Sequence, residues 1–142
     1  MAQTATQSVT SANQTAALDY EVIVLGAGVS GIYQIKLLTD QGVKATVLDA
    51  NGGVGGTWYN NRYPGARFDS ESYTYGYSFS KEVLAEWNWT ERFAPQPETL
   101  RYLNFVVDKL DLRKHMQFNC KVESMAWDET ASVWRLKVSD GR

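Results

Sequence analysis

At 142 residues, with 44% hydrophobic and 21% charged side chains, the chain has the size and mix of one globular domain. Its net charge of -2 excludes the strongly basic face that nucleic acid or an anionic membrane surface requires. The lone Cys120 and lone His115 exclude an intramolecular disulfide and a zinc site, and no apolar run approaches the ~18–20 residues of a bilayer span.

Residues 1–18 carry no charged side chain and little apolar surface, which predicts a disordered tail. The first basic residue is Lys36, so neither a secretory signal nor a mitochondrial presequence fits, and the cytoplasm is the expected compartment. The run 20–25 (YEVIVL) predicts a buried parallel strand. Residues 31–40 predict a helix with Ile32, Ile35 and Leu38 on one face, stopped by Gly42. Residues 43–48 predict a second strand ending at Asp49. The stretch 51–80 has little periodicity, yet eight aromatic residues between Trp58 and Phe79 argue against disorder. A short helix is expected through Val83, Leu84 and Trp87, and a longer one from Pro97 through Leu100, Leu103, Val107 and Leu110. Phe118, Cys120 and Val122 alternate as a strand near 117–122, and 125–139 reads as a hairpin with Trp134, Leu136 and Val138 on one face.

Gly26-Ala27-Gly28-Val29-Ser30-Gly31 is a G-x-G-x-x-G set between a predicted strand and a predicted helix. Gly26 suits the tight turn, Gly28 lets backbone approach a pyrophosphate, and Gly31 lets helix pack on strand. The helix N-terminus offers N–H groups and a positive dipole end, and Ser30 can add a hydroxyl. Asp49 follows Gly31 by eighteen residues, at the end of the second strand, where a carboxylate can accept from ribose hydroxyls and repel a 2′-phosphate. The expected class is therefore α/β, with a dinucleotide site that favours FAD or NAD over NADP. A second glycine cluster, 52–56, runs into Thr57-Trp58, and an aromatic pair at its end is unlike a flexible linker.

The string GGTWYNNRYPGARFDSES over 55–72 resembles the flavin-domain motif of type I Baeyer–Villiger monooxygenases, close to the phenylacetone and cyclohexanone group. The likeness continues through 73–79, 86–93, 96–98, 102–104 and 111–113. Asn60 and Phe68 depart from it, where the family commonly has Trp and Cys. The resemblance implies a Rossmann-like FAD-binding fold of the two-dinucleotide type, incomplete here, with a helical and loop insertion over 50–115 and a β-hairpin. It implies that 19–142 is the N-terminal part of an FAD domain, with the remainder of the polypeptide, including an NADPH domain, elsewhere.

Carried over by that resemblance, Gly26, Gly28, Ser30, Gly31 and Asp49 hold the ADP half of FAD. Gly55, Gly56, Thr57 and Trp58 run along the flavin. Asp69 and Tyr75 lie near the isoalloxazine and ribityl chain, and Asp69 is the expected catalytic residue. Val122 meets the adenine, while Arg67, Phe68 and Asp69 approach NADPH. As residues alone, Arg67 equally suits a surface ion pair, Asp69 a turn, and Tyr75 ordinary core. Tyr73, Tyr77, Phe79, Trp87 and Trp89 are assigned to packing, and His115 and Cys120 to no catalytic role. The implied reaction uses NADPH, FAD and O2 to insert one oxygen beside a ketone carbonyl, giving an ester or lactone. Two alternatives stay open: a flavin monooxygenase of amines or sulfides, and a non-catalytic nucleotide-binding module.

Overall fold

Two apolar runs of four residues build the centre of the molecule; a computed structural model describes residues 17–142. The tail expected over 1–18 lies, apart from Ala17 and Leu18, outside the described residues. Strands β1 (Val22–Leu25) and β2 (Ala45–Leu48) are parallel, with Val22 opposite Ala45 and Leu25 opposite Leu48. Parallel neighbours need a crossover, and helix α1 (Val29–Asp40) supplies it. That helix buries Gly31, Ile32 and Ile35 against the sheet. It stops where Gly42 adopts φ 74° and its N–H turns back to the Thr39 carbonyl.

Between β2 and the third strand lie four α-helices, α2 (Thr57–Asn60), α3 (Ser72–Tyr75), α4 (Lys81–Glu86) and α5 (Gln96–Lys109), and one 3-10 turn at Arg113–His115. The Ser80 hydroxyl caps α4 by accepting from the Val83 N–H at 3.2 Å. Helix α5 buries Tyr102, Leu103, Val106 and Val107, and returns the chain to the sheet. Strand β3 (Met116–Gln117) then pairs parallel with β2, giving the order β1-β2-β3. The main core joins Val24, Ile32, Ile35, Val47, Leu103, Val106, Val107 and Met116 between the sheet and helices α1 and α5. Each fully buried aliphatic side chain of this kind contributes about 1.5–3 kcal/mol. The expected hairpin forms as β4 (Val122–Asp128) and β5 (Val133–Val138), antiparallel, with Trp127 opposite Trp134.

Several expectations need correction. The parallel strand near 117–122 ends at Gln117, because Asn119 turns into the left-handed region at φ 53°. Phe118, Cys120 and Val122 therefore do not share one strand, and Val122 opens the hairpin. Strand β1 is not buried throughout: only Val24 is, and Leu25 is 49% exposed, since β1 is an edge strand. The helix expected from Gly31 starts two residues earlier, at Val29. Tyr73 is 71% exposed and Leu84 is also exposed, so neither packs as expected. Both sit on short helices whose inner faces are taken by Ser72 and Val83.

Candidate functional site: two facing glycine loops

The first glycine loop leaves β1 and enters α1. Gly26 sits at φ 96°, where an L side chain is strained, and its N–H donates to the Leu48 carbonyl at 2.8 Å. A Cβ on Gly31 would stand 1.9 Å from the Gly26 carbonyl oxygen, so the helix reaches this strand only with glycine there. The first turn of α1 has no side-chain cap and no acidic residue. Its free N–H groups and dipole end therefore favour an anion.

The second loop faces the first across backbone alone. A Cβ on Gly56 would fall 2.9 Å from the Gly28 Cα. The Gly55 N–H donates to the Ala27 carbonyl at 3.0 Å, tying the loops together. Between them lies an open cleft of ≈ 460 Å³, lined by Gly26, Gly28, Ser30, Gly31, Gly55, Gly56, Thr57, Trp58 and Tyr75 among others. It sits beyond the carboxyl end of β1, the usual ligand position in an open α/β sheet. Nine of the fourteen residues expected to hold a cofactor are thus brought together.

The far wall of the cleft is aromatic. The Trp58 indole N–H donates to the Tyr75 hydroxyl at 2.7 Å. Phe68 is buried and stacks on Tyr75 with centroids 4.4 Å apart. Because one Tyr75 lone pair is taken, its O–H proton is left to donate. The insertion is fastened to the first loop by Tyr77, whose hydroxyl donates to the Val29 carbonyl at 2.7 Å. Burial pushes the Tyr77 hydroxyl above the ordinary tyrosine range, which keeps it a donor. Gln96 holds the Trp58 carbonyl through its side-chain amide. Neither Tyr77 nor Gln96 was legible as a site residue, since each acts through partners 48 and 38 positions away.

Of the five remaining expected residues, Phe68 backs this wall and the other four do not line the cleft. Asp49 is 5% exposed, and its carboxylate accepts from the Ala27 N–H at 2.6 Å and the Asn51 N–H at 2.7 Å. Arg67 is exposed and pairs with Glu91 at 3.2 Å and with the Phe93 carbonyl at 3.1 Å. Asp69 is exposed, two residues further along. Val122 lies at the start of β4, packed beside Leu48, Cys120 and Val138. Among the described residues no group of three His, Cys, Asp or Glu could hold a metal, and no helix is long and apolar enough to cross a membrane.

Comparison with known proteins gives the same picture. Residues 24–87 match a family described as an NAD(P)-binding Rossmann-like domain. Acetone monooxygenase (methyl acetate-forming) of Gordonia sp. is 46% identical over 85% of this chain, and phenazine N-monooxygenase of Lysobacter antibioticus is 46% identical over 86%. A solved structure of oxidized steroid monooxygenase bound to NADP superposes with a TM-score of 0.84 at 47% identity, over 87% of this chain. The chain spans only 23% of each of those two relatives and 24% of that structure.

Proposed function

We propose that this chain forms the FAD cradle of a Baeyer–Villiger-type flavin monooxygenase, since over this segment it is similar to a Baeyer–Villiger monooxygenase and to cyclohexanone and cyclopentanone 1,2-monooxygenases. The observation that carries the reading is the bare backbone contact of Gly28 with Gly56, a close approach of the two loops that any Cβ on Gly56 would prevent. A plain NAD site needs one glycine loop; two facing loops suit the longer ribityl-pyrophosphate of FAD. Here Gly26, Gly28, Ser30 and Gly31 would take the pyrophosphate at the start of α1, where N–H groups are free. Gly55, Gly56, Thr57 and Trp58 would follow the flavin side, and Tyr75 would donate its hydroxyl proton to it. Asp49 and Val122 would lie on the adenosine side. Arg67, Phe68 and Asp69 would face NADPH, with Asp69 the catalytic residue.

When bound, FAD would supply the redox chemistry that links NADPH to O2. The overall balance is ketone, O2, NADPH and a proton giving ester or lactone, water and NADP+. The chain's own residues position and enclose: the Trp58–Tyr75–Phe68 wall excludes water from one side of the cleft, and the Ala27–Gly55 bond keeps the loops in register. The net charge of -2 supports a small-molecule substrate over nucleic acid, and the buried free Cys120 supports a cytoplasmic setting. The 46% identity to a phenazine N-monooxygenase supports a second reading, oxidation at a nitrogen by the same cradle.

The experiment has two arms. Flavin fluorescence titration of the chain should show FAD binding that NAD does not displace; tight NAD binding with no flavin uptake would refute the cradle. The polypeptide extended to the length of its relatives, given NADPH and O2, should make ester from a simple ketone. N-oxide from a heteroaromatic amine without ester would favour the second reading.

A further inference from the structure

We propose that Asp49 is a positioning residue that staples both glycine loops together before any ligand enters, a role that rests on reading the cleft as the FAD site. Its place after β2 suggests a carboxylate waiting for ribose hydroxyls. In the structure both carboxylate oxygens already serve backbone donors, Oδ2 the Ala27 N–H at 2.6 Å and Oδ1 the Asn51 N–H at 2.7 Å. Ala27 belongs to the first loop and is 0% exposed, so its N–H has no water to turn to. Asn51 opens the second loop. The Ala27 peptide then passes the tie onward, because its carbonyl accepts from the Gly55 N–H at 3.0 Å. Gly55 directly precedes Gly56, which faces Gly28.

The carboxylate can act this way because its own backbone is fixed on both sides. The Asp49 N–H donates to the Gln117 carbonyl at 2.9 Å, and the Asp49 carbonyl accepts from the Cys120 N–H at 2.9 Å. One residue therefore links strand β3 and the chain after it, through its backbone, to the two loops, through its side chain. The bonds are charge-assisted, the strongest kind a neutral donor can make, and the one to Ala27 is buried. A cleft held in this way does not lose loop freedom when a ligand binds. Lone pairs left on the two oxygens remain for a ribose.

The test is amide hydrogen exchange of the ligand-free 142-residue chain and of its Asp49→Asn variant. Asparagine keeps the size but turns an N–H toward one of the two donors. Exchange at Ala27, Asn51 and Gly55 should quicken by at least about tenfold, with Val47 in β2 still protected. Unchanged exchange at Ala27 and Asn51 would overturn the proposal, making Asp49 a ligand contact only. If the variant does not fold, the unsubstituted chain decides. There the Ala27 and Asn51 amides should exchange more slowly than the Ser30 amide in the first turn of α1, and equal rates overturn the staple. Flavin titration is read separately: protected amides in a chain that takes up no FAD support the staple and refute the FAD reading.

Discussion

The two faces of the three-stranded sheet are built to different standards. On the helical face Val24, Ile32, Ile35, Val47, Leu103, Val106 and Val107 are each at most 5% exposed, and helices α1 and α5 close over them. On the other face Leu25 is 49% exposed, and the hairpin beside it leaves Met125, Trp127 and Trp134 exposed as well. Only a small cluster of Leu48, Cys120 and Val138 is buried there. The glycine cleft belongs to the finished face: Gly31 is sealed into it and Tyr77 anchors the insertion to it. Stability thus depends on the helical side of the sheet, while the hairpin side, which would lend Val122 to the adenosine end, keeps open apolar surface.

A matched pair of truncations tests this most strongly. Leu103→Ala, at a site with 0% exposure, should cost about 2–5 kcal/mol in urea unfolding. Leu25→Ala on the opposite face should cost below about 1 kcal/mol. Equal losses would break the contrast. Next in size is Gly31→Ala, where the new methyl meets the Gly26 carbonyl and either loop or helix must move. A loss of about 1–3 kcal/mol is expected, together with weakened FAD uptake in the titration. Retention of both would mean that the close approach of α1 to β1 is not needed.

Tyr77→Phe removes one hydroxyl from the joint between the insertion and α1, for about 0.5–1.5 kcal/mol. It also carries a pH signature. Burial raises both the Tyr77 and Tyr102 hydroxyls above the ordinary tyrosine value of about 10. The folded chain then holds those protons more tightly than the unfolded chain. Their contribution is complete below pH ~10 and is lost as pH rises above it. The urea midpoint should fall through that alkaline range, and less steeply in Tyr77→Phe. Identical slopes would place the alkaline loss elsewhere, for example at Tyr102 alone.

The sequence made the finished face readable because its signals are local. The alternation of strand, G-x-G-x-x-G, helix and strand is written within 22–48, and the helical spacing of Leu103 and Val107 marks α5. What stayed hidden depends on long-range partners. Asp49 looked like a free acceptor because its donors, Ala27 and Asn51, are ordinary backbone. Glu98 gave no sign that it would be 2% exposed and accept from the Thr90 N–H and hydroxyl at 2.8 and 2.7 Å. The short third strand was misjudged because Phe118 and Cys120 alternate like strand residues, while the turn at Asn119 is set by its N–H reaching the Asn51 carbonyl. Tyr73 was misplaced because aromatic type signals packing and says nothing of which side of a four-residue helix it occupies.

The smallest effect is expected on the hairpin. Trp134 is 61% exposed and meets Trp127 edge-on with centroids 5.6 Å apart. Such a pair can add about 0.5–1.5 kcal/mol when packed, but an exposed pair loses most of that to water. The hairpin is also a separate two-stranded sheet, and such ribbons are marginal by themselves. Trp134→Ser should therefore change the unfolding free energy by no more than about 0.5 kcal/mol, the usual range for a surface substitution. Its FAD uptake should match that of the unsubstituted chain, since no hairpin residue lines the glycine cleft. A loss above about 1 kcal/mol would place Trp134 in a packed environment. The hairpin would then count as part of the core, and the contrast between the two faces of the sheet would fail.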